Sequence, residues 1–352
     1  MLTPRSVSDF PIKFLFNYHE NGKPFYFYIV LAKQNPYNKN VIEDFKLTQK
    51  VKIAVHNGNY HADDCMSYAI LNYVFPDNEL IRTRDEKELA ACDFIVDVGG
   101  IYDGEKHFDH HQRDFHEFRT EDDQIKYASA GLIWKRFGPD YIKKAYPSIS
   151  DEQIDKIFHD VDYKLIRYID ANDNGIPLGD DEQPTLSKAV YMFNQSIGYI
   201  DPENFRLASS FLATVLHGYV TVSFRYIEAE QIVLQALKEN CQNKILTLPK
   251  KISFLEVVTN HWEQFNDVEV VVYPNSTESG WRIQSMPQDP ANRFSNRCPA
   301  PEQWRGLRDL QLDHTVGIDG LTFVHPSGFT GGAKNKEVIM QFAAKWIQES
   351  HR

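Results

Sequence analysis

Cysteines and long apolar runs are scarce in this sequence. The four cysteines are Cys65, Cys92, Cys241 and Cys298, and no two of them have C-x-x-C spacing. This pattern excludes a disulfide framework or a cysteine-based zinc site, and it predicts free thiols in a reducing compartment. No run reaches the ~18 apolar residues of a membrane span. The basic start and small-residue cleavage site of a secretory signal are also missing, so we expect a cytoplasmic protein without a membrane partner.

Positive charge is also in deficit. The 352 residues include 38 Lys and Arg against 49 Asp and Glu, which gives a formal net charge of −11. Such a chain is unsuited to coating nucleic acid by bulk charge, although an acidic protein can still handle phosphate through bound metal ions. Hydrophobic residues make up 42% and charged residues 25%, and no repeat is visible, which excludes a disordered or fibrous protein. At ~150 residues per domain, the length predicts roughly two domains.

Short apolar segments after residue 50 predict a parallel α/β sheet. Val51–Val55 is a strand of β-branched residues, and 63–75 has the spacing of an amphipathic helix that Pro76 ends. Leu80–Ile81 and Phe94–Val98 are the next strand candidates. Strands that alternate with helices at this spacing form βαβ units, whose ligands bind beyond the carboxyl ends of the strands.

The rest of the chain divides into a helical part and a mixed part. Periodic apolar residues predict helices over 125–137, 152–169 and 205–237. Strands are predicted for 268–273, 281–286 and 321–324, and a last helix for 337–348. We therefore expect an α/β protein with three parts: an N-terminal extension (1–48, with one hairpin as an option), a parallel-sheet catalytic domain with a largely helical second half (49–245), and a smaller α+β C-terminal domain (246–352).

Histidines and aspartates cluster at the predicted strand ends. Six of the 13 histidines lie between His56 and His116. The cluster comprises His56, His61, Asp63 and Asp64 after the first strand, Asp97 at the end of the third, the triplet Asp109-His110-His111, and Asp170 and Asp173 in a helix-ending segment. Imidazole and carboxylate ligands suit Mn²⁺, Zn²⁺, Fe²⁺ or Co²⁺, and their number suits two ions that share one aspartate. Considered alone, Asp63 would also suit the cap of a helix, and Asp173 would also suit a turn.

At this point the chain resembles the DHH phosphoesterase superfamily and, within it, the Myg exonuclease family (melanocyte proliferating gene type). The family segment HNG-x-F-H-x-D-E is similar to 56–64, FDHHQ to Phe108–Gln112, and D-A-x-D-N-G-I to 170–176. Later segments that resemble the family are 281–284, 304–308 and 323–332. The resemblance covers about residues 50 to 350. Tyr60 and Asp64 depart from it, because the family prefers Phe and Glu there.

The resemblance implies a role for each matching residue. His56 and His61 would bind one metal ion, whereas Asp63, His110 and Asp173 would bind a second. Asp97 would bridge the two ions, and Asp170 is the alternative to Asp173. His111 would face the phosphate or the leaving group, with Asp109 orienting it. The catalytic residues would thus be His111, Asp109 and Asp97. The cofactors would be two divalent ions, with Mn²⁺ favoured over Mg²⁺, Co²⁺ and Zn²⁺.

The C-terminal part contains a local excess of arginine. Two acids and five arginines lie between residues 281 and 308. The arginines are Arg282, Arg293, Arg297, Arg305 and Arg308. Arginine suits phosphate, and Trp281, Phe294 and Trp304 could stack on bases. Gly328, Gly331 and Gly332 predict a flexible turn that presents backbone N–H groups to an anion. The predicted substrate-binding residues are Arg282, Arg305, Arg308, Gly331 and Gly332, with a solvated face as the alternative interpretation.

These observations predict a metal-dependent phosphoesterase, with RNA or oligonucleotide as substrate and 3′–5′ exonuclease activity. One alternative is a small-molecule phosphatase or pyrophosphatase with the same site. Another is a metal-containing regulatory protein without turnover. The oligomeric state stays open, with a homodimer as one option. The resemblance adds the nucleus and the mitochondrion to the expected cytoplasmic location.

Overall fold

A computed structural model describes residues 50–119, 124–176, 183–197, 202–275 and 280–351. For residues 195–197, 293 and 294, the backbone alone is described. The predicted N-terminal extension and its hairpin lie outside the described residues. Residues 50–352 group as one compact unit.

Four parallel strands form the first sheet, in the order β2-β1-β3-β4. They are β1 (Val51–Val55), β2 (Asn78–Arg82), β3 (Phe94–Val96) and β4 (His107–Phe108). The connecting helices are α1 (Ala62–Val74) and α2 (Glu86–Ala90). The predicted parallel sheet is therefore confirmed. The third strand is shorter than predicted, because it ends at Val96 and Asp97 adopts a left-handed backbone with φ 57°.

Helices make up the second half of this part, as the sequence predicts. They are α3 (Ser129–Ala145), α4 (Asp151–Val161), α5 (Arg167–Asp173), α6 (Leu186–Ile197) and α7 (Pro202–Glu239). The single helix predicted for 152–169 is α4 and α5 joined by a π-helical turn, Asp162–Ile166. Such turns insert an extra residue and change which side chains share a face. The main core includes buried residues of α1, α3 and the first part of α7.

The second sheet has six strands in the order β11-β12-β8-β7-β6-β5. They are β5 (Cys241–Gln242), β6 (Ile245–Thr247), β7 (Val270–Pro274), β8 (Trp281–Ser285), β11 (Leu321–Val324) and β12 (Thr330–Ala333). All neighbours are antiparallel except β6 and β7. A separate ribbon pairs β9 (Pro287–Asp289) with β10 (Asn292–Asn296). The helices of this part are α8 (Leu255–Asn260), α9 (Asp309–Val316) and α10 (Lys336–Ser350).

Helix α7 belongs to both parts of the unit. Its first portion packs in the core with α1, whereas Ala229, Val233 and Ala236 pack in another cluster with residues of β6, β7 and α8. By length and composition α7 is also apolar enough to cross a membrane, a test that core helices pass as well. Because α7 contributes to both cores, the predicted boundary at 245/246 stays a prediction.

Candidate functional site

Polar side chains gather where the parallel strands of the first sheet end. His56 follows β1, Asp97 follows β3 and Asp109 follows β4. All three are at least nine-tenths buried. In parallel α/β sheets this edge is where ligands bind, because the strand ends and the helix starts open a crevice there.

Asp97 has a buried imidazole on either side. Its Oδ2 lies 3.4 Å from Nε2 of His56, and its Oδ1 lies 3.6 Å from Nε2 of His110. Ser129 donates to the same Oδ1 at 3.3 Å. The left-handed backbone of Asp97 is uncommon outside glycine, and strained positions of this kind occur at functional sites.

Besides a group formed by Asp97, His110 and His111, two further groups of ligand-type side chains meet around Asp97. In the first, one nitrogen each of His56 and His61 and one oxygen of Asp97 all lie within 4.8 Å of one another. In the second, Asp63, His110 and Asp173 satisfy the same limit, with Nε2 of His110 3.1 Å from Oδ2 of Asp173. These are the two ligand sets that the resemblance implies. The second set brings Asp63 together with Asp173, which is more than 100 residues away in sequence.

Asp63 is oriented by the start of another helix. The backbone N–H of Ser129 donates to Oδ2 of Asp63 at 3.0 Å, and that of Ala130 donates to Oδ1 at 2.6 Å. These are the first residues of α3, so Asp63 acts as the N-terminal anion of α3 rather than as a cap of its own helix. The carboxylate is thereby fixed beside His110.

The neighbouring acid, Asp64, is a residue to which sequence reasoning assigned no role. Its Oδ1 accepts from the backbone N–H of His61 at 2.7 Å. Its Oδ2 is fully buried without a hydrogen bond and lies 3.2 Å from Nε2 of His56. In the sequence Asp64 looks like an ordinary acid in a first helical turn, so no local signal distinguishes it.

This region buries more negative charge than the protein itself neutralises. Burial, followed by the charges of Asp173 and Asp97, raises the pKa of Asp63 well above its usual value. Burial likewise raises the pKa of Asp64 to about 7. Burial lowers the pKa of His56, but its hydrogen bond to Asp97 and the charges of Asp64 and Asp97 raise it overall to about 9. Such a region favours bound cations.

A divalent metal fits the donor atoms that are present. Nε2 of His110 is buried and has no hydrogen-bond partner, although it lies in the middle of the carboxylates. A buried polar atom without a partner is costly unless a ligand or water occupies it. The mixed imidazole and carboxylate set suits Mn²⁺, Fe²⁺, Co²⁺ or Zn²⁺, and thiolates are absent from it. His56, His61, Asp97, Asp63, His110 and Asp173 are the residues that would hold such ions.

Asp170 and Asp173 share helix α5 but have different surroundings. Asp170 is fully buried, forms an ion pair with Arg119, and accepts from the backbone N–H of Gly131 at 2.9 Å. A Cβ on Gly131 would lie 1.9 Å from Oδ2 of Asp170, so only glycine fits there. Asp170 is therefore satisfied by the protein, whereas Asp173 faces His110.

Arg119 is a second residue that sequence reasoning missed. Its guanidinium is 3% exposed and pairs with both Asp162 and Asp170. Asp162 is the first residue of the π-helical turn, and Arg119 also lies over the ring of Tyr127. The partners are 43 and 51 residues away in sequence, so no spacing rule could have identified them.

His111 is the exposed member of the cluster. Its side chain is 60% exposed, and its Nδ1 lies 2.7 Å from Oδ1 of Asp109. Asp109 is 2% exposed and is held in turn by the backbone N–H of Gly100 at 2.5 Å. The hydrogen bond to Asp109 raises the pKa of His111 above its usual value. The arrangement presents a protonatable ring to solvent at the edge of the buried cluster.

Among the predicted substrate-binding residues, Arg282, Gly331 and Gly332 lie in the second sheet, whereas Arg305 and Arg308 lie in the loop before α9. Arg282 and Arg308 line a cavity of about 380 Å³. Arg305 does not line it, since its Nε donates to the backbone oxygen of Ala300 at 2.8 Å. Trp304 is 2% exposed and packs against Phe342 and Trp346 in the core, so the prediction that it stacks on bases is wrong.

Of the three glycines predicted to form a flexible turn, Gly328 lies in the turn between β11 and β12 with φ 71°, whereas Gly331 and Gly332 belong to a strand. Gly331 and Gly332 lie in β12, paired with β8 on one side and β11 on the other. A Cβ on Gly331 would lie 2.9 Å from the backbone oxygen of Phe323, and one on Gly332 would lie 2.6 Å from Oγ1 of Thr322. The turn prediction was wrong for Gly331 and Gly332, because close packing and not flexibility requires glycine there.

Comparisons with known proteins agree with the motifs. A family model described as MYG1_exonuc, uncharacterised protein family (UPF0160), matches residues 52–347. The MYG1 protein of Schizosaccharomyces pombe is 32% identical over 319 residues, covering 84% of this chain and 97% of that protein. The MYG1 exonuclease of Homo sapiens is 33% identical over 325 residues, covering 85% of this chain and 86% of that protein. The resemblance to the Myg exonuclease family, which the motifs predict, is thereby confirmed.

Solved structures give weaker matches. RecJ of Thermus thermophilus in complex with Mn²⁺ superposes with a TM-score of 0.26 at 16% identity, covering 86% of this chain and 52% of RecJ. The pGpG-specific phosphodiesterase PggH of Vibrio superposes with a TM-score of 0.24 at 11% identity, covering 86% of this chain and 99% of PggH. Scores this low do not establish a common fold.

Proposed function

The chain belongs to the MYG1 exonuclease family, and we propose that it is a metal-dependent phosphoesterase that removes nucleotides from the 3′ end of RNA or short oligonucleotides. The observation that carries the proposal is the pair of ligand sets on either side of Asp97. One carboxylate within reach of two buried imidazoles is the arrangement that a two-ion phosphodiester hydrolase needs.

Two divalent ions, with Mn²⁺ favoured, would be held by the residues of this cluster. His56 and His61 would hold one ion, Asp63, His110 and Asp173 the other, and Asp97 both. When bound, such ions activate water near neutral pH and stabilise the charge on the attacking and leaving oxygens. The fixed backbone donors of α3 keep Asp63 in place, so the carboxylate does not need to reorganise when substrate arrives.

His111 would act on the substrate directly. Since Asp109 occupies Nδ1 of His111, which is 60% exposed, Nε2 of the ring would be the nitrogen that meets the substrate. The raised pKa of His111 keeps the ring protonated at higher pH than a free histidine. A protonated Nε2 can contact the phosphate and give its proton to the leaving oxygen. Asp109 orients this ring, and Gly100 orients Asp109.

The C-terminal part would hold the rest of the substrate. Under this proposal, residues 49–245 carry the chemistry and residues 246–352 the binding groups. Arg282 and Arg308 face a shared cavity and are the best-placed candidates. Arg305, Gly331 and Gly332 would act by supporting neighbouring backbone, judging by their contacts. The expected cytoplasmic, nuclear or mitochondrial location stays a prediction.

The proposal is tested with a substrate panel and purified full-length protein. A 3′-labelled and a 5′-labelled short RNA, a dinucleotide and pyrophosphate are each incubated with Mn²⁺, with Mg²⁺ and with a chelator. We expect stepwise release of nucleotides from the 3′ end that stops in chelator. Cleavage of pyrophosphate alone would favour the small-molecule phosphatase, and bound metal without any hydrolysis would favour the regulatory protein.

A further inference from the structure

A thiol, a carboxylate and an imidazole meet at the end of α10. They belong to Cys298, Glu269 and His351, and one ligand-type atom of each lies within 4.8 Å of those of the other two. Glu269 directly precedes β7, Cys298 lies in the loop after β10, and His351 directly follows α10. Glu269 and His351 are 82 residues apart in sequence, so the fold of the second sheet and α10 brings these three side chains together.

Two of the three side chains leave from fixed positions inside the protein. Cys298 and Glu269 are both buried. The backbone N–H of Cys298 donates to Oγ of Ser285 at 3.0 Å, and its backbone oxygen accepts from Nε1 of Trp346 at 2.9 Å. The backbone N–H of Glu269 donates to the backbone oxygen of Lys244 at 2.9 Å. The thiol and the carboxylate therefore need little ordering when a ligand arrives.

His351 is the exposed member of the set. Its side chain is 54% exposed, and its Nε2 lies 2.7 Å from Oε2 of Glu269. Nitrogen and oxygen ligands at about 2.0–2.1 Å from a tetrahedral zinc ion are roughly 3.3 Å apart. The imidazole would thus need to move outward by only about 0.6 Å to share an ion with Glu269. An exposed ring can make this movement, and an ion can enter from its side.

Lys244 does not prevent a divalent ion from binding. Its Nζ lies 2.5 Å from Oε1 of Glu269, but it is 56% exposed, so water weakens the pair. The other carboxylate oxygen, Oε2, faces His351. An ion with two positive charges, one thiolate and one carboxylate has no net charge beside Lys244. Burial raises the pKa of the Cys298 thiol to about 11, so the ion must displace a proton, as at other cysteine ligands.

The chemistry of the set favours zinc over the ions expected at the first sheet. Cysteine sulfur, histidine nitrogen and carboxylate oxygen are the three ligand types that Zn²⁺ takes in proteins. A thiolate selects Zn²⁺ over Mn²⁺, which prefers carboxylate and water. The cysteine spacing excludes a zinc site built on a C-x-x-C pair, whereas this set uses one cysteine and depends on the fold.

We propose that Glu269, Cys298 and His351 form a second metal site, which takes Zn²⁺ and is chemically distinct from the cluster around Asp97. The ion would join the end of α10 to the start of β7 and to the loop after β10. It would therefore hold α10 against the second sheet, because an ion that binds only the folded chain adds its binding free energy to stability. This site is independent of hydrolysis at the first sheet.

The test uses Co²⁺ as a spectroscopic probe in place of Zn²⁺, added to the Mn²⁺-loaded full chain. A Co²⁺ ion bound to a thiolate has a near-ultraviolet charge-transfer band. The two ligand sets around Asp97 contain no cysteine, so Co²⁺ bound there does not produce this band. The variants are Cys298→Ser and His351→Ala. Circular dichroism and thermal melting confirm that each variant folds.

Two further variants are matched controls. Cys92→Ser changes another buried cysteine, whose Sγ donates to the backbone oxygen of Glu88 at 3.2 Å. His261→Ala changes another histidine whose Nε2 lies 2.7 Å from a carboxylate oxygen, that of Glu230. Neither control residue belongs to a described group of metal-type ligands.

We expect the wild-type protein to show the thiolate band with one Co²⁺ ion and to lose it when Zn²⁺ is added. Cys298→Ser should abolish the band, and His351→Ala should weaken Co²⁺ binding by about 10-fold or more. Both controls should match the wild-type protein. A wild-type protein without the band, a band that survives Cys298→Ser, or unchanged affinity in His351→Ala would overturn the proposal. If Cys298→Ser does not fold, His351→Ala decides, because its ring is exposed.

Thermal melting tests the effect on α10. Zn²⁺ added to the Mn²⁺-loaded protein should raise Tm more in the wild-type protein and in His261→Ala than in His351→Ala. The cluster around Asp97 is the same in all three proteins, so the difference reports the second site. Equal increases in Tm would contradict an ion that holds α10 against the second sheet.

Discussion

The metal cluster of the first sheet and the cavity of the second sheet leave opposite charges unsatisfied. Around Asp97, buried carboxylates outnumber the groups that could neutralise them, and Nε2 of His110 has no hydrogen-bond partner. In the cavity, Arg282 and Arg308 have no described carboxylate within ion-pair distance. Charges that a protein does not pair internally indicate what it binds, here cations in one place and an anion in the other.

Burial makes the two regions differ in what they require. Asp63, Asp64 and Asp97 are each at most 3% exposed, so water cannot stabilise their charge. Arg308 is exposed and stays solvated until a ligand arrives. We therefore expect the cluster to depend on its ligand for stability, whereas the cavity should not.

The largest effect is expected when the carboxylate of Asp97 is removed from the metal cluster. Asp97→Asn removes the carboxylate that lies between His56 of the first ligand set and His110 of the second, while keeping the shape of the side chain. We expect kcat to fall by about 10³-fold or more, since metal-ion stabilisation of the transition state amounts to several kcal/mol. Steady-state hydrolysis of a short RNA measures it, and a folded variant with near-normal kcat would contradict the assignment.

The next prediction concerns the carboxylate that the protein does satisfy. Arg119→Met leaves Asp170 buried without its cation, which should lower the free energy of unfolding by about 3–5 kcal/mol. Urea denaturation gives this value. The control is Arg136→Met, whose exposed pair with Asp140 should contribute at most ~1 kcal/mol. Equal losses in the two variants would show that Asp170 is not held by Arg119.

His111 allows chemistry and metal binding to be separated. His111→Gln keeps a polar side chain but removes the proton that the ring carries, so we expect kcat to fall by about 10²-fold. Binding of Mn²⁺ should change little, because the six residues that would hold the ions remain: His56, His61, Asp63, Asp97, His110 and Asp173. Parallel kinetics and metal titration measure both quantities. A variant that loses metal and keeps its residual kcat per bound ion would place His111 among the ligands instead.

The smallest predicted effect is a pH dependence of folding stability that arises from the metal cluster. Folding raises the pKa of Asp63, and it raises those of Asp64 to about 7 and His56 to about 9. The folded metal-free protein therefore binds more protons than the unfolded chain, and its stability falls as pH rises from about 4 through 7 and on toward 9. Metal replaces those protons, so Mn²⁺ should raise Tm more at pH 8 than at pH 6. A metal-induced shift in Tm that is equal at both pH values would contradict this account.

The sequence predicts the metal cluster of the first sheet better than the cavity of the second sheet. His56, Asp97 and the Asp109–His111 triplet stand at strand ends, and strand ends follow from local patterns. Arg119 is different, since its contacts with Asp162 and Asp170 depend on a π-helical turn that the spacing of apolar residues does not predict. Asp64 could not be told from a simple first-turn acid.

The errors in the second sheet have one physical origin. Gly331 and Gly332 have the composition of a turn, but pairing with two neighbouring strands holds them extended, so tertiary contacts override local propensity. Trp304 lies among arginines in the sequence, which suggested an exposed stacking residue, yet it is buried with Phe342 and Trp346. Which face of a short strand or turn meets the core is decided by partners distant in sequence.

The most direct test of the central claim counts the metal ions that depend on Asp97. Titration of Mn²⁺ into metal-free wild-type protein, followed by the electron paramagnetic resonance signal of free Mn²⁺, should show two ions bound per chain. Asp173→Asn should keep one ion tightly bound, and Asp97→Asn should weaken both. A single ion in the wild-type protein, or two ions retained in Asp97→Asn, would contradict a cluster built around a shared carboxylate.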